Sequence, residues 1–218
     1  MPLVPTTMQG LLMSGFISAM TDDTFASTVA NAVNTYCSTG LINASLVAGT
    51  VSAGIFTGAV SAGTMTVSLK DSDIKDIADE MKNAWKEVTD WYADNPDAEE
   101  SELNQKIEKA KEKGDDYLAE ELGKLIDDAC TNAQFNCTIV GTAVQGPSST
   151  PLTDIATVTW TGVKESLISG LKAACKQQQD VLIATAISTA VTTYLTSAVI
   201  KIEGTASCKG AQGVGIMS

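Results

Sequence analysis

The placement of charge constrains this chain more than any other feature. Residues 70–128 hold 20 acidic residues and 9 lysines, whereas the other 159 of the 218 residues hold 6 acids and 5 lysines. Residues 1–69 carry only Asp22 and Asp23. An ordinary soluble domain is about one quarter charged, so the centre lies far above that level and both flanks far below it. The overall net charge of −12 is therefore −11 in the centre and −1 in the flanks combined. The centre reads as solvated helices. The flanks read as surface that other chains cover, because exposed protein with so little charge self-associates.

Missing residue types narrow the chemistry. There is no His, and all 14 basic residues are Lys. That removes an imidazole base, a Ser-His-Asp or Cys-His pair and a His ligand for zinc. It also removes the bidentate guanidinium clamp on phosphate and on guanine. With an acidic balance as well, nucleic acid is not an expected partner. The uncharged run 24–69 is long, but Gly, Ser, Thr and Asn interrupt it, so no membrane span is expected. The opening MPLVPTTMQG has no basic segment, so no secretory leader is expected.

The two ends of the chain resemble each other. Residues 12–20 (LMSGFISAM) align with 167–175 (LISGLKAAC), and Asp22 aligns with Asp180. Residues 25–29 then meet 183–187, 32–36 (AVNTY) meet 190–194 (AVTTY), and 41–42 meet 199–200. Order is kept across more than thirty residues, as expected of a duplicated unit. Each copy begins with helices, read from apolar spacings of three and four: Leu12, Phe16, then Phe25, Val29, Val33, Tyr36 in one, Leu167, Leu171, then Ile183, Ile187, Val191, Tyr194 in the other. Thr21-Asp22-Asp23 reads as a capped restart. Each copy then enters Gly/Thr-rich extended chain, where Gly210, Gly213 and Gly215 would admit another backbone at close range.

The centre is a helical insert or a diverged third unit. Asp71 or Ser72 is placed to cap a helix running to about Tyr92, with Ile74, Ile77, Met81, Trp85, Val88 and Tyr92 as its apolar stripe. Trp85 and Trp91 read as core. Asn95-Pro96 reads as the cap and first position of the next helix, which carries Leu103, Ile107 and Ala110. Leu118, Leu122, Leu125 and Ile126 resume the stripe, 135–146 reads as a strand, and 147–151 as a linker. Helix followed by a Gly-Thr strand thus occurs up to three times. The expected fold is α+β: duplicated units at 1–69 and 147–218, flanking an acidic helical hairpin and strand at 70–146.

No catalytic, cofactor or metal site emerges. Cys37, Cys130, Cys137, Cys175 and Cys208 contain no Cys-x-x-Cys pair, and five cannot close as disulfides within one chain. They read as buried thiols; Cys130 and Cys137, flanking a turn, are the first candidates should two of them pair. The acidic pairs Asp115-Asp116, Glu120-Glu121 and Asp127-Asp128 lie on helix-periodic sequence and read as solvated faces, not as a glycosidase dyad.

Short Ala/Ser-rich helices followed by a C-terminal ribbon ending Gly-Val-Gly-Ile-Met-Ser resemble small structural proteins of tailed-bacteriophage virions. The resemblance spans both ends, about 110 residues, and the acidic centre has no counterpart in it. It implies a non-enzymatic subunit of a head, neck or tail assembly, located in the virion, with copies of itself and other virion proteins as partners. No small-molecule substrate is expected. Glycine-rich strands would add to neighbouring sheets, and the interface residues expected are Ile55, Phe56, Val60, Met65, Val199, Ile202, Val214 and Ile216, with Trp160 as an anchor. A surface adhesin or receptor-binding module is the alternative. An enzyme working through Asp115 or Glu120 is not expected.

Overall fold

A computed structural model describes residues 3–16, 22–177 and 179–218. The fold is mixed helix and strand, as expected, and its centre is a six-stranded antiparallel barrel. Three times the chain runs through helices into a hairpin, with two helices in the first and third passes and three in the second. The first pass is α1 (Pro5–Phe16), α2 (Asp22–Thr39), a short β1 (Ile42–Asn43), β2 (Val47–Val51) and β3 (Gly54–Thr66). The second is α3 (Asp71–Asp94), α4 (Glu100–Lys111), α5 (Asp115–Thr131), β4 (Gln134–Gln145) and β5 (Ser148–Thr161). The third is α6 (Lys164–Cys175), α7 (Asp180–Ser197), β6 (Val199–Gly204) and β7 (Ala211–Met217).

The three hairpins close on one another. Within passes, β2 pairs with β3, β4 with β5 and β6 with β7; between passes, β3 pairs with β4, β5 with β6 and β7 with β2. Six strands make a narrow barrel, whose interior side chains alone fill. Phe56 is fully buried there, and Gly58 and Gly141, opposite each other across β3 and β4, leave room for its ring. A Cβ at Gly141 would lie 2.6 Å from the Phe56 ring and 2.4 Å from the Thr57 carbonyl oxygen.

The helices repeat the threefold arrangement. α2, α5 and α7 rest on β3, β5 and β7 respectively, so the trio covers one end of the barrel. Their buried residues keep one spacing: Ala26, Val29, Val33, Cys37; Ala119, Leu122, Ile126, Cys130; Ala184, Ile187, Val191, Leu195. A small buried residue follows the second member each time, namely Ala30, Gly123 and Ser188. Spacings of three, four and four put each set on one helix face. Outside the trio, α1 bridges α2 and α7, α6 bridges α7 and α5, and α3 bridges α5 and α2.

Several expectations change. The 147–151 linker is instead the tight turn and first residues of β5. Gly146 has φ +59 at the first central position, where a two-residue hairpin turn requires it, and Pro147 follows. The boundary at 146/147 therefore cuts a hairpin, and all three segments contribute strands to one barrel. The glycine-rich ribbons do not wait for a neighbour: β7 is paired along both sides, and backbone oxygens of Thr50, Leu46 and Asn43 approach Gly210, Gly213 and Gly215 from within the chain. Closure satisfies the backbone groups that strand addition would need. Lys70, not Asp71 or Ser72, occupies the cap position of α3 and gives no side-chain cap. Asn95 ends α3 rather than starting α4, since its backbone and side-chain amides both donate to the Trp91 carbonyl at 3.0 and 2.9 Å. Residues 17–20 of the end-to-end alignment and the capping position Thr21 lie outside the described residues.

Candidate functional site

Two surfaces and one buried network concentrate the polar and apolar features that the fold itself does not consume. The first surface is the outer wall of the barrel. Side chains alternate along a strand, so every second residue faces out. On β4 these are Asn136, Thr138, Val140, Thr142 and Val144; on β5, Thr153, Ile155, Thr157, Thr159 and Thr161. β3 contributes Ile55 and Thr57 before its bulge and Thr64 beyond it. Ile55 stands directly opposite Val144. Ile55 and Ile155 are each 67% exposed. Across β3, β4 and β5 the single charged residue is Asp154, and it is occupied. Its carboxylate accepts from the backbone N–H groups of Ile155, Ser207 and Cys208 and from the Ser207 hydroxyl, at 2.7–3.2 Å. The Ser207 hydroxyl first, and then these amides, hold its carboxyl below the usual range. Asp154 thereby ties the β6–β7 connection, including the 3-10 turn Ala206–Cys208, to β5.

The nine interface candidates divide by burial. Ile55, Val199, Val214 and Ile216 lie on the outer wall, well exposed. Val60 is half-buried against the core. Phe56, Met65, Trp160 and Ile202 are inside, at 0–5% exposure, so their side chains fill the protein's own core and are closed to a partner. They point inward because their neighbours in the strand take the outward positions. Leu46, Val140, Val144 and Ile155, which the sequence reading did not single out, are exposed on the wall.

Trp160 belongs to the buried network. Its indole N–H donates to the Tyr194 hydroxyl at 3.1 Å, and that hydroxyl donates to the Asp127 carboxylate at 2.6 Å. Lys164 lies 3.5 Å from the other oxygen of Asp127. Burial, and then Asp127, raise the Tyr194 hydroxyl far above its ordinary range. At the matching position of α2, Tyr36 bonds Thr192 of α7 at 2.8 Å, and Thr192 donates onward to the Ser188 carbonyl. Thr192 and Asp127 hold the same place in their helices, two residues before the Tyr36 position. The third pair of the cycle would be Ala129 and Asn34. Alanine has no hydroxyl to offer, and Asn34 instead bonds both backbone groups of Leu69.

The five cysteines lie on α2, α5, β4, the end of α6 and the β6–β7 connection. Cys37, Cys130, Cys137 and Cys208 are buried and Cys175 is half-buried, all as free thiols. The neighbour of Cys130 is Cys37, not Cys137, and that thiol first, then burial, raises its titration well above normal. Cys175 lines an apolar cleft of about 160 Å³ with Phe25, Leu122, Leu171 and Ile183, and burial first, then Asp115 and Asp116, push its thiol up to about 11. Lys172 pairs with Glu120 at 2.6 Å and lowers that carboxyl. Among the described residues no group of three potential ligands is placed to hold a metal ion, and no helix is long and apolar enough to cross a membrane.

The second surface is the acidic segment. α4 packs on α3, closing Val88 and Ala110 between them. Trp85 is not core: it is 44% exposed, and Tyr92 is 50% exposed. Trp91 is half-buried, with the Lys106 ammonium 5.6 Å from its ring. At the base, Glu80 accepts from Lys113 at 3.0 Å and from the Tyr117 hydroxyl. No protein-family model, curated protein or solved structure matches this chain.

Proposed function

We propose that the chain is a non-enzymatic structural subunit of a bacteriophage virion, in the head, neck or tail, that assembles with copies of itself and other virion proteins through the outer wall of its barrel. The observation that carries this reading is the near absence of charge on β3, β4 and β5, whose only ionised side chain, Asp154, is bound within the chain. A wall of Thr, Val and Ile this wide is unlike the surface of a solitary soluble domain, where exposed large apolar side chains are scattered among charges. The phage assignment adds the resemblance of the two chain ends to virion structural proteins.

The same reading includes a repeated origin. α1 and α6 are each 12 residues long, and α2 and α7 are each 18. Together with the shared burial spacing, these lengths support duplication of a helix-pair and hairpin unit, and the spacing in α5 extends it to a third, diverged copy. Size-exclusion chromatography with light scattering tests the assembly. The native chain runs as an oligomer, and Ile55→Lys with Ile155→Lys converts it to a folded monomer that still melts cooperatively. A native monomer that binds no hydrophobic dye overturns the reading.

A further inference from the structure

The second pass differs from the other two by an addition. The first twelve residues of α3, 71–82, match α1 and α6 in length and carry the buried Ile74 and Ile77. The remaining twelve continue for about 18 Å at 1.5 Å per residue, and α4 folds back along them. The barrel and the ring of helices are complete without this arm. Its tip is one-sided in charge: residues 87–102 contain seven carboxylates and no lysine. Beside them stand Trp85 and Tyr92, seven residues apart and therefore on one helix face. Both rings leave faces open to solvent, and aromatic faces attract cations, as Lys106 over Trp91 illustrates.

We propose that the arm tip is a docking surface for a lysine- or arginine-rich segment of a neighbouring protein. Trp85 and Tyr92 supply the rings against which the long basic side chains lie, and Asp94, Asp97, Glu99 and Glu102 supply the attracting charge. Nucleic acid and anionic lipid carry the wrong sign for this surface. The proposal stands apart from the reading of the barrel wall.

The test titrates the full-length protein with an arginine decapeptide, following tryptophan fluorescence and heat. Saturable binding that weakens with added salt is expected. Trp85→Ala with Tyr92→Ala weakens it at least about tenfold, while Trp85→Phe with Tyr92→Phe retains it. D94N/D97N/E99Q weakens binding, whereas D76N/D115N/D128N, which removes as many charges from exposed sites on the body, leaves it nearly unchanged. Absence of saturable binding, equal losses in the arm and body variants, or unaltered binding by the double alanine variant overturns the proposal. Thermal melting of each variant confirms folding, and the substituted side chains are exposed, so it is expected to match the native protein.

Discussion

Replacing Tyr194 with Phe should destabilise the protein about two- to threefold more than replacing Tyr36 with Phe, although the two occupy matching positions and are equally buried. The Tyr194 hydroxyl serves two partners. Without it, the Trp160 N–H is left without its acceptor, and Asp127 loses a hydrogen bond while its side chain is 15% exposed and Lys164 stands 3.5 Å away. A hydrogen bond to a charged group contributes about 1.5–3 kcal/mol, and an unsatisfied buried donor costs about 1–3 kcal/mol. Partial compensation by Lys164 and solvent brings the sum to about 3 kcal/mol. Tyr36→Phe removes one neutral bond, and Thr192 keeps its own acceptor in Ser188, so the cost is about 1 kcal/mol. For a chain of this length 1 kcal/mol shifts the melting temperature by about 2–4 °C, giving shifts of about 6–12 °C and 2–4 °C. Urea denaturation of the two single variants measures the difference directly. Equal costs would refute the argument that the Tyr194 hydroxyl serves two partners, Trp160 and Asp127, where that of Tyr36 serves one.

Further outcomes follow from other residues. Asp154→Asn should lower the melting temperature at pH 7. Because the folded carboxyl titrates below its ordinary range, its contribution is present above about pH 4 and fades as the pH falls further, so native and variant curves should converge in acid; a constant gap would oppose this. Gly141→Val should abolish folding or cost more than about 3 kcal/mol, with partial rescue by Phe56→Leu, read by soluble yield and urea midpoint. Replacing residues 84–111 by a short flexible loop should lower helical circular dichroism while preserving a cooperative melt, since the arm contributes nothing to the barrel; loss of cooperativity would contradict its description as an addition.

Helices were largely legible in the sequence because their apolar residues recur against polar ones. α2 and α7 show Val29, Val33, Tyr36 and Ile187, Val191, Tyr194 at the right spacing, and those residues are buried. β5 was mostly illegible for the opposite reason. Apolar and polar residues alternate only over 156–161; before that a charged Asp154 takes an inward position and Ile155 an outward one, and Gly146-Pro147 with Pro151 give the start of the strand the look of a linker. The wall candidates were mixed because nothing in the sequence separates exposed Ile55 from buried Phe56: the strand parity is fixed by pairing partners far along the chain. Trp85 misled through its place in a good apolar stripe. That stripe is genuine at Ile74 and Ile77, but beyond the twelfth residue α3 has left the body and has only α4 to pack on.

Closure of the barrel changes what the uncharged strands are able to do. An open glycine-rich ribbon would recruit a neighbour through backbone hydrogen bonds, which are indifferent to side chains and invite uncontrolled addition. Here each hairpin is spent on the next hairpin, and Pro151 removes a donor from the stretch of β5 that lies beyond β6. What remains outside on β3, β4 and β5 is a surface of mostly branched, uncharged side chains. Recognition through such a wall depends on shape, so a single lysine at Ile55 or Ile155 suffices to disturb it. The same logic separates the two surfaces. Contacts on the wall should be nearly independent of salt, and contacts at the acidic arm should weaken steeply as salt rises. An assembly held by both would therefore come apart at the arm first.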